Sequence, residues 1–172
     1  MQRSRMLATI ISFLAAVSLW AEPNGRADAH WSVQVENIEP GDVNIDPAFR
    51  FAIYENLVKE LTKTKQFRQV LRDGDRNASG VGDLLVLKSK IESYTPGSET
   101  KRAVTTVAGA TKLKLLAQLR TQDGRIVLER SVNGTVRFFG GNLRATHNLA
   151  HNVAGAIKKS TLPNSATSSG GE

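Results

Sequence analysis

The chain has 172 residues, 23 Lys and Arg against 16 Asp and Glu for a formal charge of +7, and no cysteine. The missing thiols exclude disulfides, thiolate metal sites, a cysteine nucleophile and the lipid-modified cysteine of a bacterial lipoprotein, while the length suits one domain that needs no covalent staple. The charge is uneven: residues 101–160 carry eleven Lys and Arg against Asp123 and Glu129, whereas residues 22–99 carry ten against thirteen acids.

In chain order, Arg3 and Arg5 precede an uncharged stretch from Met6 to Trp20, followed by Ala21 and then Glu22-Pro23. This is the layout of a secretory signal peptide over residues 1–21: a cationic start held on the cytosolic side, an apolar run, and a small residue for the peptidase. The 15 residues from Met6 to Trp20 fall short of the roughly 20 that span a bilayer, and Thr9 and Ser12 interrupt them, so a retained anchor fits less well. Cleavage is expected after Ala21; Ala27-Asp28-Ala29 is the second candidate site. The remaining 151 residues, at +5, are expected in the periplasm or the medium, soluble and with no stable membrane span.

Trp31 to Glu36 alternates apolar and polar residues as a half-buried strand does, and Glu39-Pro40-Gly41-Asp42 turns the chain. Asp46-Pro47 is a helix start, since the carboxylate can accept orphan amide hydrogens and proline suits the first helical position. A helix is predicted over 46–63, its core stripe Phe49, Ile53, Leu57 and Leu61, flanked by Ala52, Tyr54 and Val58. Gln66 to Leu71 reads as a short strand and Arg72 to Gly82 as a polar loop. Asp83 to Tyr94 opens with Leu84-Leu85-Val86-Leu87, as a strand buried on both faces would, then alternates through Lys88, Lys90 and Glu92. It should be a central strand leading toward an edge. Thr95 to Arg102 reads as an exposed loop.

The firmest element is a hairpin at Gln122-Asp123-Gly124-Arg125, with Asp-Gly at the centre of a two-residue turn. Pairing Gln122 with Arg125 sets Leu119 opposite Leu128, Leu115 opposite Val132 and Thr111 opposite Val136, which puts the apolar residues of both strands on one face. Gly140-Gly141 ends the second strand, and Asn142 is placed to cap a helix over 142–159. Its inner arc is Leu143, Thr146, Leu149, Ala150, Val153, Ala154 and Ile157. A Ser, Thr and Gly tail over 161–172 is expected to be disordered. The predicted fold is a single α+β domain over 30–160, in the order β-α-β-β-β-β-α, with a five-stranded mixed or antiparallel sheet and two helices packed on one face.

Candidate chemistry is sparse. His147 and His151 stand four apart on the last helix, but Asn148 occupies the place a zinc-protease glutamate would take, so boundary histidines are expected. His30 cannot be assigned as a third ligand. Asp73-Gly74-Asp75-Arg76-Asn77 matches the first oxygen positions of a calcium loop, yet Ala78 and Leu84 replace the required glycine and closing glutamate, which leaves a turn. Ser79 lacks a nucleophile-elbow frame, and Glu55 and Glu60, five apart on the first helix, do not face each other. No cofactor or metal is implied, and a hydrolase is the least supported class. The electrostatic feature is sharper: by the hairpin register Lys112, Lys114, Arg120, Arg125 and Arg137 project from the polar face, opposed mainly by Glu129. Such a strip can hold an acidic protein or an anionic envelope polymer or head group. Few aromatics accompany it to stack bases, so no nucleic acid is expected. Arg130 falls on the apolar face opposite Ala117, where it pairs with a buried acid, blocks edge association or touches a subunit.

The order of elements, together with Leu84-Leu85-Val86-Leu87-Lys88-Ser89-Lys90-Ile91, Ala108-Gly109-Ala110, Asp123-Gly124-Arg125-Ile126-Val127 and the Gly140-Gly141 break, resembles the bacterial envelope family called domain of unknown function 4410. The resemblance spans roughly Trp31 to Lys159 and implies an exported protein with no catalytic residues to carry over. The chain departs from that family's frequent lipoprotein form by lacking the lipidated cysteine. More distantly the order is similar to small α+β domains of periplasmic assembly proteins: the TolB N-terminal domain, the curli secretion channel subunit and the penicillin-binding-protein activator lipoproteins. A non-catalytic binding or assembly role in the envelope is expected, through the basic hairpin face or an open strand edge, with direct polyanion binding as the alternative.

Overall fold

The computed structural model describes residues 30–98, 100–101, 109–136 and 143–163. The signal-peptide reading, Arg137, Asn142 and most of the 161–172 tail lie outside the described residues.

Five strands, β1 (Ser32–Val35), β2 (Val70–Arg72), β3 (Leu84–Thr95), β4 (Thr111–Thr121) and β5 (Ile126–Val136), and two helices, α1 (Pro47–Thr64) and α2 (Arg144–Lys158), follow one another in the predicted order. The sheet runs β2-β1-β3-β4-β5. β1 is parallel to both β2 and β3, and β3, β4 and β5 form an antiparallel meander, so the sheet is mixed. The parallel β1–β2 pair needs a crossover, and α1 supplies it.

Helix α1 begins where the sequence placed it: Asp46 Oδ1 accepts from the Ala48 amide at 2.6 Å and Pro47 takes the first turn. It ends at Lys65, whose left-handed φ of 54° breaks the ladder. Phe49, Ile53, Leu57 and Leu61 are all buried, as the four-residue spacing requires. They pack with Val33, Val35, Leu85 and Leu87 of the sheet and with Leu149, Val153 and Ile157 of α2 in one core. Both helices lie on the same face of the sheet, α1 against β1 and β2, α2 against β4 and β5.

Several local readings change. β2 is only three residues long, and Gln66 to Gln69 lie outside it. Helix α2 starts at Arg144 after Leu143, which makes no side-chain cap and is exposed rather than part of the inner arc; Ala145 is buried in its stead. The polar loop contains a short 3-10 turn over Arg76–Gly80, capped by Asp75, whose carboxylate accepts from the Asn77 amide at 2.9 Å. Ala78 of this turn covers Leu84 and Leu71, which explains why β3 opens as a strand buried on both faces.

The hairpin keeps the predicted pairs Leu119–Leu128, Leu115–Val132 and Thr111–Val136, but reaches them by another route. The Gly124 amide donates to Thr121 O at 2.9 Å and the Thr121 amide to Arg125 O at 2.9 Å, with Gly124 at φ 87°. That is a three-residue loop with its glycine in the left-handed position, not a two-residue turn. The register then shifts between Leu119 and Arg120, which pairs with Ile126, and the bulge restores the expected alignment. Gly134 was not singled out by the sequence, yet a Cβ there would lie 2.5 Å from Ala145 O and 2.6 Å from Leu149 Cβ. Its missing side chain is what allows α2 to seat on β5. Thr161 to Pro163 turn back to the core: the Trp31 indole donates to Pro163 O at 2.8 Å and Leu162 packs against buried residues.

Candidate functional site

Side chains alternate across a strand, so the covered face of the sheet implies an uncovered one. On β4, Leu113, Leu115, Ala117 and Leu119 are buried under the helices, while Lys112, Lys114, Leu116, Gln118 and Arg120 emerge on the other side. β3 contributes Lys88, Lys90 and Glu92 to the same outer face, since Lys88 pairs with Gln118 and Lys90 with Leu116. Of the five cations the hairpin register selected, Lys112, Lys114 and Arg120 stand on this face and Arg125 sits exposed at its turn. Arg137 lies outside the described residues.

Sequence spacing missed Lys88 and Lys90 as members of the site, and it missed most of the acids. Lys88 Nζ lies 3.3 Å from Glu36 Oε2, just past the end of β1, and Lys114 Nζ lies 3.2 Å from Glu92 Oε2 on β3. A hydrogen bond from Ser131 and the Lys114 ammonium hold the Glu92 carboxyl below its ordinary value, against a smaller opposing effect of burial. Arg120 donates to Gln118 Oε1 at 2.5 Å, and Gln118 in turn donates to Glu129. The outer face is therefore a cross-strand lattice of both signs. Lys90 and Lys112 make no ion pair with an acid among the described residues. Beside Lys90 runs a shallow groove of about 340 Å³ lined by Glu39, Lys88, Lys90, Leu116, Gln118 and Arg120.

A second depression, about 370 Å³, lies at the start of α1 between Asn37, Ile38, Pro47, Arg50, Phe51 and Tyr54. Phe51 is 63% exposed there. It carries no titratable cluster: Tyr54 is engaged below Arg72, its hydroxyl accepting from the Asp73 amide at 2.9 Å, and Arg72 pairs with Glu55.

The two helical histidines do have a partner. Glu60, almost fully buried between the helices, faces His151 Nδ1 at 3.2 Å and His147 Nδ1 at 3.9 Å, and Lys63 Nζ at 2.5 Å. The lysine–carboxylate pair lies within α1, and the two imidazoles bring α2 to the same carboxylate in an interhelical polar knot. Among the described residues no group of three His, Asp or Glu is arranged to hold a metal ion. The calcium-like segment is likewise a turn, with Asp75 spent on its own backbone and Asp73 accepting from Asn37. Arg130 is exposed on the helix side of β5 and donates to Glu129 O at 3.1 Å; among the described residues it pairs with no buried acid. Among the described residues no helix is long and apolar enough to cross a membrane.

No protein-family model matches the chain, and no curated protein does, so the resemblance to domain of unknown function 4410 gains no support from either comparison. Solved structures do share the fold. A PelC dodecamer from Paraburkholderia phytofirmans is similar at a TM-score of 0.58 and 13% identity, over 76% of this chain and 89% of that one. The hypothetical protein CT253 from Chlamydia trachomatis is similar at a TM-score of 0.52 and 6% identity, over 74% and 95%. Protein XCC0632 from Xanthomonas campestris, of the family DUF330, reaches a TM-score of 0.47 at 14% identity, over 74% and 81%. At such identities the likeness is one of architecture.

Proposed function

We propose that this is an exported, non-catalytic binding or assembly protein of the bacterial cell envelope, whose working surface is the outer face of the sheet. The observation that carries the reading is the asymmetry of that sheet. Two helices bury one face, while the other is left to solvent with Lys88, Lys90 and Arg120 around a groove. An antiparallel meander is a rigid support, so its outer side chains are presented in fixed register and bind without a large ordering cost. Export rests on the layout of residues 1–21, and the assembly role is supported by the dodecamer that the PelC fold builds.

Lys90 and Lys112 favour a second reading, direct binding of an anionic envelope polymer, because cations not engaged in an ion pair among the described residues can meet an external acid. The readings separate by salt. Polymer capture through counterion release weakens steeply as salt rises, whereas a packed protein interface does so much less. Retention of the chain on immobilised lipopolysaccharide at low salt, lost at moderate salt and in K90Q/K112Q/R120Q, supports the polymer reading. Salt-insensitive capture of one envelope protein, lost in the same variant, supports assembly. Binding of either kind that survives the triple substitution overturns the outer face as the site.

A further inference from the structure

Strand β5 is the long open edge of the sheet, hydrogen-bonded to β4 on one side only. Such an edge is a template for another strand. Here it is occupied by the protein's own side chains. Asn152 Nδ2 donates to Asn133 O at 2.8 Å and Asn148 Nδ2 donates to Thr135 O at 2.9 Å. Arg130 Nη1 donates to Glu129 O at 3.1 Å. Residues 129, 133 and 135 share one parity, and in an antiparallel pair the carbonyls of alternate residues point the same way, here away from β4. Four residues along a helix advance about 6 Å and two along a strand about 7 Å, so asparagines four apart on α2 fall in step with carbonyls two apart on β5. The close seat of α2 at Gly134 brings them within reach.

We propose that Asn148 and Asn152 latch the β5 edge shut against a second copy of this chain. The side chains of β5 do not themselves forbid self-pairing. A two-fold antiparallel β5–β5 pair centred on Ser131, the middle of Ile126–Val136, sets Glu129 beside Asn133 and Arg130 beside Val132 of the other copy, with no like charges opposed. What such a pair requires is free outward carbonyls, and of the four at residues 129, 131, 133 and 135 only that of Ser131 lacks a side-chain donor among the described residues. The latch leaves the outer sheet face accessible while closing the edge, so it is independent of what that face binds.

The absence of cysteine makes the test direct, because Ser131→Cys supplies a unique reporter at the two-fold axis. Under a mild oxidant the S131C chain forms little disulfide-linked dimer. N148A/N152A in that background forms about tenfold more or beyond, the equivalent of losing two side-chain hydrogen bonds. The isosteric N148D/N152D, which keeps the volume but cannot donate, behaves the same, with circular dichroism showing that each variant is folded. Should both double variants unfold, N152A alone, at an exposed position, gives the smaller rise. Adding Asn133→Glu, which sets a second acid beside Glu129 of the other copy, abolishes the cross-link. Folded latch variants that do not cross-link, or an S131C chain that cross-links as readily with its latch intact, overturn the proposal.

Discussion

Leu115 and Leu116 are neighbours on β4 and belong to different chemistries. Leu115 is fully buried under the helices; Leu116 sits half-buried in the floor of the outer groove among Lys90, Gln118 and Arg120. The inner face is held by close packing, in which every methylene has partners. The outer face is held by cross-strand pairs in water, each of which contributes little to stability. The two faces of one strand thus divide the labour: one specifies the fold, and the other can change its residues, and its partner, at small structural cost.

Truncating each leucine in turn separates the two faces. L115A should lose about 3 kcal/mol, within the range for a buried leucine, and L116A less than about 1 kcal/mol, both read from urea unfolding. Equal losses would mean that the outer face is covered in solution. Next is Gly134, where the inner layer is tightest: G134A forces α2 off β5 and should cost about 1–3 kcal/mol by overpacking, measured as a fall in thermal midpoint.

A smaller effect is expected from Glu60. Lys63 holds its carboxyl below the ordinary value of 4.5 against the opposing pull of burial, with a further hydrogen bond from His151. A carboxylate depressed in the folded state contributes stability that is complete above its unfolded value and is lost as pH falls through the folded one. The urea midpoint should therefore drop as pH is lowered below about 4.5, and E60Q should flatten that limb in part, since Glu55 and Glu92 are depressed as well. A limb as steep in E60Q as in the parent would remove the knot from the account. The smallest structural effect belongs to K90Q/K112Q, expected to stay within about 0.5 kcal/mol of the parent as exposed substitutions do.

The inner face was legible in the sequence because a single residue spacing encodes it. Phe49, Ile53, Leu57 and Leu61 repeat at helical period, and the apolar sets of β4 and β5 agree in one register. The register survived a wrong turn type because the three-residue loop and the bulge beside Val127 offset one another. The outer face was legible only in outline. Lys112, Lys114 and Arg120 follow from alternation within one strand, but Glu92, which pairs with Lys114, and the Lys88–Glu36 pair come from segments whose neighbours no local pattern names. The same limit hid Glu60 behind His147 and His151, whose spacing alone suggested only a boundary. It also hid Asn148 and Asn152, ordinary polar residues until β5 lies beside them.

Site-specific photo-crosslinking in cells expressing the full chain shows whether the protein meets its partner through the uncovered face of the sheet. A photoreactive residue is placed in turn at Lys112 and Leu116 on the outer face, and at the exposed Lys59 and Lys158 on the helices. Discrete adducts, to a protein or a polymer, are expected from the two outer positions alone. Adducts from Lys59 or Lys158 with none from Lys112 or Leu116 would contradict that role for the outer face.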